Sequence, residues 1–224
     1  MTPLVVGHQG SSEGVPPASL EAYEAALAAG AEMVEMDVRR TPEGRLLVLH
    51  DALEAYGDER LRAAAAVEDV AALVARAGRR LLVDVKDVGG ETDPLDAVLR
   101  ILEPEQVVVS SFEDASVARL RRERPHVPTG LSIGREWRRP YVRTRLSELF
   151  PAARAAACGA SFLSVNHRLV PTGVLRRSPL PLYVWTVDSD RALRRHLRDE
   201  RLLGVITNRP RRALELRARP VDAG

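Results

Sequence analysis

An eight-stranded parallel barrel wrapped in helices, the (β/α)8 or TIM-barrel architecture, is the fold this chain predicts. Three observations lead there. Eight short β-rich runs alternate with amphipathic helical stretches along the whole sequence, the pattern of repeated βαβ units. The length, 224 residues of which 45% are hydrophobic, suits a single domain, residues 1–224, with a sizeable core. The ionisable residues that interrupt the apolar runs fall at their carboxyl ends, the face on which barrel sites are built. An open doubly wound sheet is the alternative that the same alternation allows.

Residues 3–8 (PLVVGH) form the first strand. PPASLEAYEAALAAG supplies the first helix, with Ser19 or the prolines at its start and Gly30 as its stop. Residues 32–38 (EMVEMDV) form the second strand, and there the alternation breaks. A turn with Pro and Gly at 41–44 leads into a second short apolar run, so an extra β-hairpin over 39–50 is expected after strand 2, above the barrel. VEDVAALVARAG is the next helix, ending at Gly78, followed by strands at 81–86 (LLVDVK) and 106–110 (QVVVS). DASVARLRRERP and SDRALRRHLRDE start with Asp or Ser and carry arginine near their ends, which suits the helix dipole. The first leads to strands at 128–132, 161–165 and 182–187, the second to the last strand at 204–207.

The charge balance narrows the function classes. Net charge is +2 and no block of five or six like charges occurs, so no nucleic-acid partner is expected. The single cysteine, Cys158, has no internal disulfide partner. No basic-then-apolar leader opens the sequence and no apolar stretch approaches the roughly 18–20 residues of a membrane span. The expectation is a soluble, cytoplasmic protein. Of the 33 basic residues only Lys86 is a lysine, and its compact point charge is not equivalent to arginine's planar fork.

The chemistry gathers at the strand ends. His8 ends strand one, Glu35 and Asp37 lie near the end of strand two, and His50 ends the returning arm of the hairpin. Asp84 and Lys86 end strand three, Trp185 is late in strand seven, and Asn208 follows strand eight. Residues i and i+2 of a strand face the same side, so Glu35 points with Asp37 and Asp84 with Lys86. Three carboxylates converging in a barrel mouth repel one another unless a cation sits among them. Oxygen-only ligands favour a hard ion, Mg2+ or Ca2+. Two histidines at the rim suit acid and base work near neutral pH. Asp51 reads as a turn cap, Trp185 with Tyr183 as either core packing or a substrate wall, and Asn166 as a turn residue. His126, His167 and His196 read as loop or helix-surface residues.

His8-Gln9-Gly10, Pro16-Pro17-Ala18-Ser19, Glu35-Met36-Asp37, a Thr-x-x-Gly turn at 41–44 and His50-Asp51 occur in that order. Asp84-Val85-Lys86, Ser111-Phe112, Trp185-Thr186-Val187 and the Gly-Val-Ile-Thr-Asn run at 204–208 follow. Nearly end to end, this series resembles the glycerophosphodiester phosphodiesterase family. The resemblance implies that His8 and His50 are the acid–base pair and that Glu35, Asp37 and Asp84 hold one divalent cation, Mg2+ or Ca2+. It implies a substrate-binding set of Lys86, Gln9, Trp185 and Asn208, with Gln9 standing where the family has a phosphate-binding arginine. Pro17 and Ala18 replace the Glu and Asn of the family's helix start, Asp84 replaces Glu, and Asn208 replaces Asp. Asp-x-Lys and the terminal Thr-Asn look more like the related sphingomyelinase D branch. The expected function is metal-dependent hydrolysis of a small-molecule glycerophosphodiester to an alcohol and glycerol phosphate. The alternatives are a lysophospholipase D- or sphingomyelinase D-like enzyme forming a cyclic phosphate, and a catalytically weak barrel that binds a phosphodiester or lipid headgroup.

Overall fold

The computed structural model describes residues 2–134, 151–170 and 178–218. Eight parallel strands close on themselves: β1 (Leu4–His8), β2 (Met33–Arg40), β4 (Arg80–Val85), β5 (Val107–Ser111), β6 (Thr129–Ile133), β7 (Phe162–Asn166), β8 (Leu182–Trp185) and β9 (Leu202–Thr207). Each pairs with the next in that order, and β9 and β2 both flank β1, which closes the ring. This is the (β/α)8 barrel, not the open sheet. The outer helices among the described residues are α1 (Leu20–Ala28), α2 (Asp58–Ala63), α3 (Val67–Ala77), α4 (Thr92–Leu99), α5 (Asp114–Glu123), α6 (Pro151–Cys158), α7 (Asp190–His196) and α8 (Pro210–Ala218).

Local chemistry sets the boundaries. Ser19 caps α1, its hydroxyl accepting from the Ala22 N–H, which satisfies a donor the first helical turn leaves open. Gly78 ends α3 in the left-handed conformation at φ 60°, which glycine adopts without the penalty of a Cβ. The hairpin forms as expected. β3 (Leu46–Val48) runs antiparallel to the end of β2, with Val38 opposite Val48 and Arg40 opposite Leu46. Its turn is closed by the Thr41 N–H on the Arg45 carbonyl at 2.8 Å. That pairing carries β2 to Arg40, two residues past the expected end. The short helix α2 and the turn Leu53–Ala55 before it add a segment that periodicity did not reveal.

Strand alternation divides the core. Val5, Val34, Met36, Val83 and Val109 point outward into the layer beneath the helices. Val6, Met33, Leu82, Phe162, Tyr183 and Ile206 point inward and fill the lower barrel. Phe162 and Tyr183 meet edge-on at 5.2 Å between ring centres. A Cβ on Gly130 would lie 2.1 Å from the Phe162 ring, so the large side chain on β7 requires glycine on β6. Each such aromatic contributes about 1.5–3 kcal/mol by leaving water. The plug leaves only the upper barrel for polar side chains. One expectation is corrected here: His196 is not a helix-surface residue but is 3% exposed, because the last turn of α7 faces inward and its ring meets His167 edge-on at 5.8 Å. No helix among the described residues is long and apolar enough to cross a membrane.

Candidate active site

Above the apolar plug, three neighbouring strands present polar residues at one level. Register places Asp37 opposite Asp84 and Asp84 opposite Ser110, with His8 opposite Glu35 one step away. Glu35, Asp37 and Asp84 each offer a carboxylate oxygen, and these oxygens lie within 4.8 Å of one another. All three are buried, with exposures of 5%, 2% and 6%. Oxygens facing each other across Ca2+ are about 4.6–5.2 Å apart, and across Mg2+ about 4.0–4.2 Å. The donor set therefore fits one hard divalent ion.

The carboxylates are held by neutral and charged donors. The Lys86 ammonium reaches Asp37 Oδ1 at 2.7 Å and also contacts Asp84. The Ser110 hydroxyl donates to Asp84 Oδ1 at 2.6 Å. Gln9 donates twice, from its backbone N–H to Glu35 Oε2 at 3.0 Å and from its side-chain amide to Asp37 Oδ2 at 2.6 Å. Burial, and after it the charge of Asp37, pushes the Glu35 carboxyl well above the usual carboxylate range. Burial acts on Asp37 in the same direction, but the Lys86 ammonium, with His50 and His8, overcomes it and holds that carboxyl at about 2. Burial alone would depress Lys86, yet Asp84, Asp37 and Glu35 raise it above its ordinary value, so the ammonium stays charged.

Both rim histidines are tethered through Nδ1. That of His8 is 2.8 Å from Asn208 Oδ1 and that of His50 is 2.9 Å from Asp51 Oδ1. Asp51 is thus the partner of the His50 ring, where a turn cap was expected; the bend at the end of the hairpin brings the two adjacent side chains together. His8 is half-buried and His50 is exposed. Lys86 lies 5.6 Å from the centre of the Phe112 ring, which meets Trp185 edge-on at 5.8 Å. Trp185 is half-buried beside Phe112, whereas Tyr183 is part of the plug. Asn166 makes the expected turn contact, accepting from the Arg168 N–H at 3.1 Å.

The structure thus pairs His8 with Asn208 and, in a separate bonded cluster, gathers Gln9, Glu35, Asp37, Asp84 and Lys86. Sequence reasoning missed the residues that brace them. Ser110 orients Asp84. Asp188 accepts from the Asn208 side-chain amide at 2.8 Å and its backbone N–H at 2.9 Å. Arg39 donates to the carbonyls of His50 and Asp51 at 3.2 and 3.0 Å and to Asp87 at 2.7 Å. Strand register was the only available signal for Ser110. Nothing local marks Arg39 or Asp188 among so many arginines and aspartates.

Comparison with known proteins gives a family match and the same fold. The family model described as glycerophosphoryl diester phosphodiesterase family matches residues 8–87 and 83–212. A glycerophosphodiester phosphodiesterase of Caldanaerobacter subterraneus subsp. tengcongensis is 24% identical, covering 96% of this chain and 98% of that protein. The crystal structure of a glycerophosphodiester phosphodiesterase from Thermotoga maritima matches with a TM-score of 0.72 at 22% identity, over 97% of this chain and 99% of that one. An Oleispira antarctica phosphodiesterase in complex with the product sn-glycerol-3-phosphate matches with a TM-score of 0.72 at 16% identity, over 96% of each chain.

Proposed function

The chain belongs to the glycerophosphoryl diester phosphodiesterase family, and from that premise we propose that it hydrolyses glycerophosphodiesters, releasing an alcohol and glycerol phosphate. The observation that carries the reading is the convergence of Glu35, Asp37 and Asp84 within 4.8 Å beneath two histidines tethered through Nδ1. Glu35, Asp37 and Asp84 hold one divalent cation, Mg2+ or Ca2+. When bound, such an ion polarises the phosphoryl oxygens and offsets their developing charge.

The chain's own residues do the rest. A histidine whose Nδ1–H is donated to a neighbour keeps Nε2 for proton transfer. One of His8 and His50 takes the proton of the attacking hydroxyl or water, and the other gives a proton to the departing alcohol. Lys86 supplies a positive charge beside the phosphoryl group, where a point charge suffices. Phe112 and Trp185 form an apolar wall that excludes water from one side of the mouth.

Incubating the protein with a panel of glycerophosphodiesters and lysophospholipids, with Mg2+ or Ca2+ and with EDTA, tests this. Phosphorus NMR should show glycerol phosphate, and EDTA should abolish it. A cyclic phosphate as the end product would favour the sphingomyelinase D-like route. Binding without turnover on the whole panel would replace the enzyme by a headgroup-binding barrel.

A further inference from the structure

Gln9 occupies the position where the family pattern carries a phosphate-binding arginine, yet its side chain is turned to the carboxylates. It follows the last residue of β1 in a left-handed conformation, φ 47°, which few non-glycine residues adopt. Gly10 continues the turn at φ 81°, where a Cβ would lie 2.5 Å from the Ala22 carbonyl carbon. The bend turns the Gln9 N–H inward to Glu35 Oε2 at 3.0 Å and sends the side-chain amide to Asp37 Oδ2 at 2.6 Å. The Gln9 carbonyl is fixed as well, accepting from the Ala18 N–H at 3.0 Å. One residue, anchored at three points, therefore bridges two of the three carboxylates.

The structure assigns Gln9 the role of a positioning residue for the cation: it clamps Glu35 and Asp37 at coordinating distance and is not a contact to phosphate. The inference rests on the metal reading above. Its logic is charge. Lys86 already places one positive charge against Asp37 and Asp84. A second cation at position 9 would compete further for the same oxygens, whereas a neutral amide orients Asp37 and leaves its charge for the metal. Partners that orient metal ligands typically change metal affinity by about 10–100-fold when removed.

Titration calorimetry with Ca2+ alone, and with Mg2+ alone, provides the test. Gln9→Met keeps the length and unbranched stem while deleting the amide. It should weaken cation binding by about 10–100-fold, and at saturating cation the KM for the best diester should match that of the unsubstituted protein. Unchanged cation affinity with a raised KM would overturn the clamp and make Gln9 a phosphate contact. If the unsubstituted protein binds neither ion, the metal reading itself falls and the clamp with it. Circular dichroism reports whether the variant folds, and Gln9→Ala, which keeps the backbone donor to Glu35, is the second variant with the same expected outcome.

Discussion

The Nδ1 of His8 and the Oδ1 of Asn208, 200 residues apart in the chain, lie 2.8 Å from each other. The Asn208 amide has one sensible orientation, since its Nδ2 donates to Asp188 Oδ2 at 2.8 Å. Its oxygen must then accept from His8, which puts the ring proton on Nδ1 and the lone pair on Nε2. Asn208→Leu removes that instruction without touching the ring. It should lower kcat by about 10–100-fold with little change in KM, a smaller loss than the about 10²–10⁴-fold of His8→Ala. Steady-state kinetics on the best diester decide the matter; a change confined to KM would make Asn208 a substrate contact.

His50 depends on Arg39. The guanidinium spans the carbonyls of His50 and Asp51 and the Asp87 carboxylate, pinning the hairpin end that carries the ring. His50→Ala should cost about 10²–10⁴-fold in turnover while the fold persists. Arg39→Ala should lower kcat by a smaller factor, and Arg39→Lys should not restore it, because a point charge cannot serve three acceptors set out for a planar fork. Full activity in Arg39→Lys would show that charge alone, not the fork, is what matters there.

Lys86 shares Asp37 and Asp84 with any cation bound there, so its removal should have two effects of opposite sign. Lys86→Met should tighten Ca2+ binding, measured by calorimetry, because an internal competitor is gone. The same variant should lose more than about 100-fold in kcat/KM, roughly 2.7 kcal/mol of transition-state stabilisation. Lys86→Arg should recover only part of it. Parallel losses in both quantities would mean that the lysine organises the carboxylates and does not compete for them.

His196 gives the fold a dependence on pH. Burial, reinforced by His167 and Arg195, holds its imidazole down at about 4, with Asp199 opposing. The unfolded chain binds that proton near pH 6.5, so below this value protonation favours the unfolded state. The stability is complete above about pH 6.5 and is lost as pH falls towards 4. His196→Leu, similar in bulk and unable to titrate, should show a smaller drop in Tm between pH 7.5 and pH 5 than the unsubstituted protein. Equal drops would place the acid sensitivity elsewhere.

The sequence by itself determined the barrel and pointed to most residues of the candidate site. Alternation of strand and helix needs only local hydrophobic patterning, and the i, i+2 rule places Glu35 with Asp37 and Asp84 with Lys86 whatever lies next to them. The hairpin was legible because Pro42 and Gly44 punctuate it. Tertiary structure decided everything that depends on which strand neighbours which. Closure of β1 on β9 brings Asn208 to His8, and register sets Ser110 against Asp84. The left-handed bend at Gln9 brings its side-chain amide onto Asp37. Burial of His196 and the reach of Arg39 to the hairpin end were hidden for the same reason. A side chain's partner across the barrel is fixed by pairing and packing between segments far apart in the chain, and no local pattern encodes that distance.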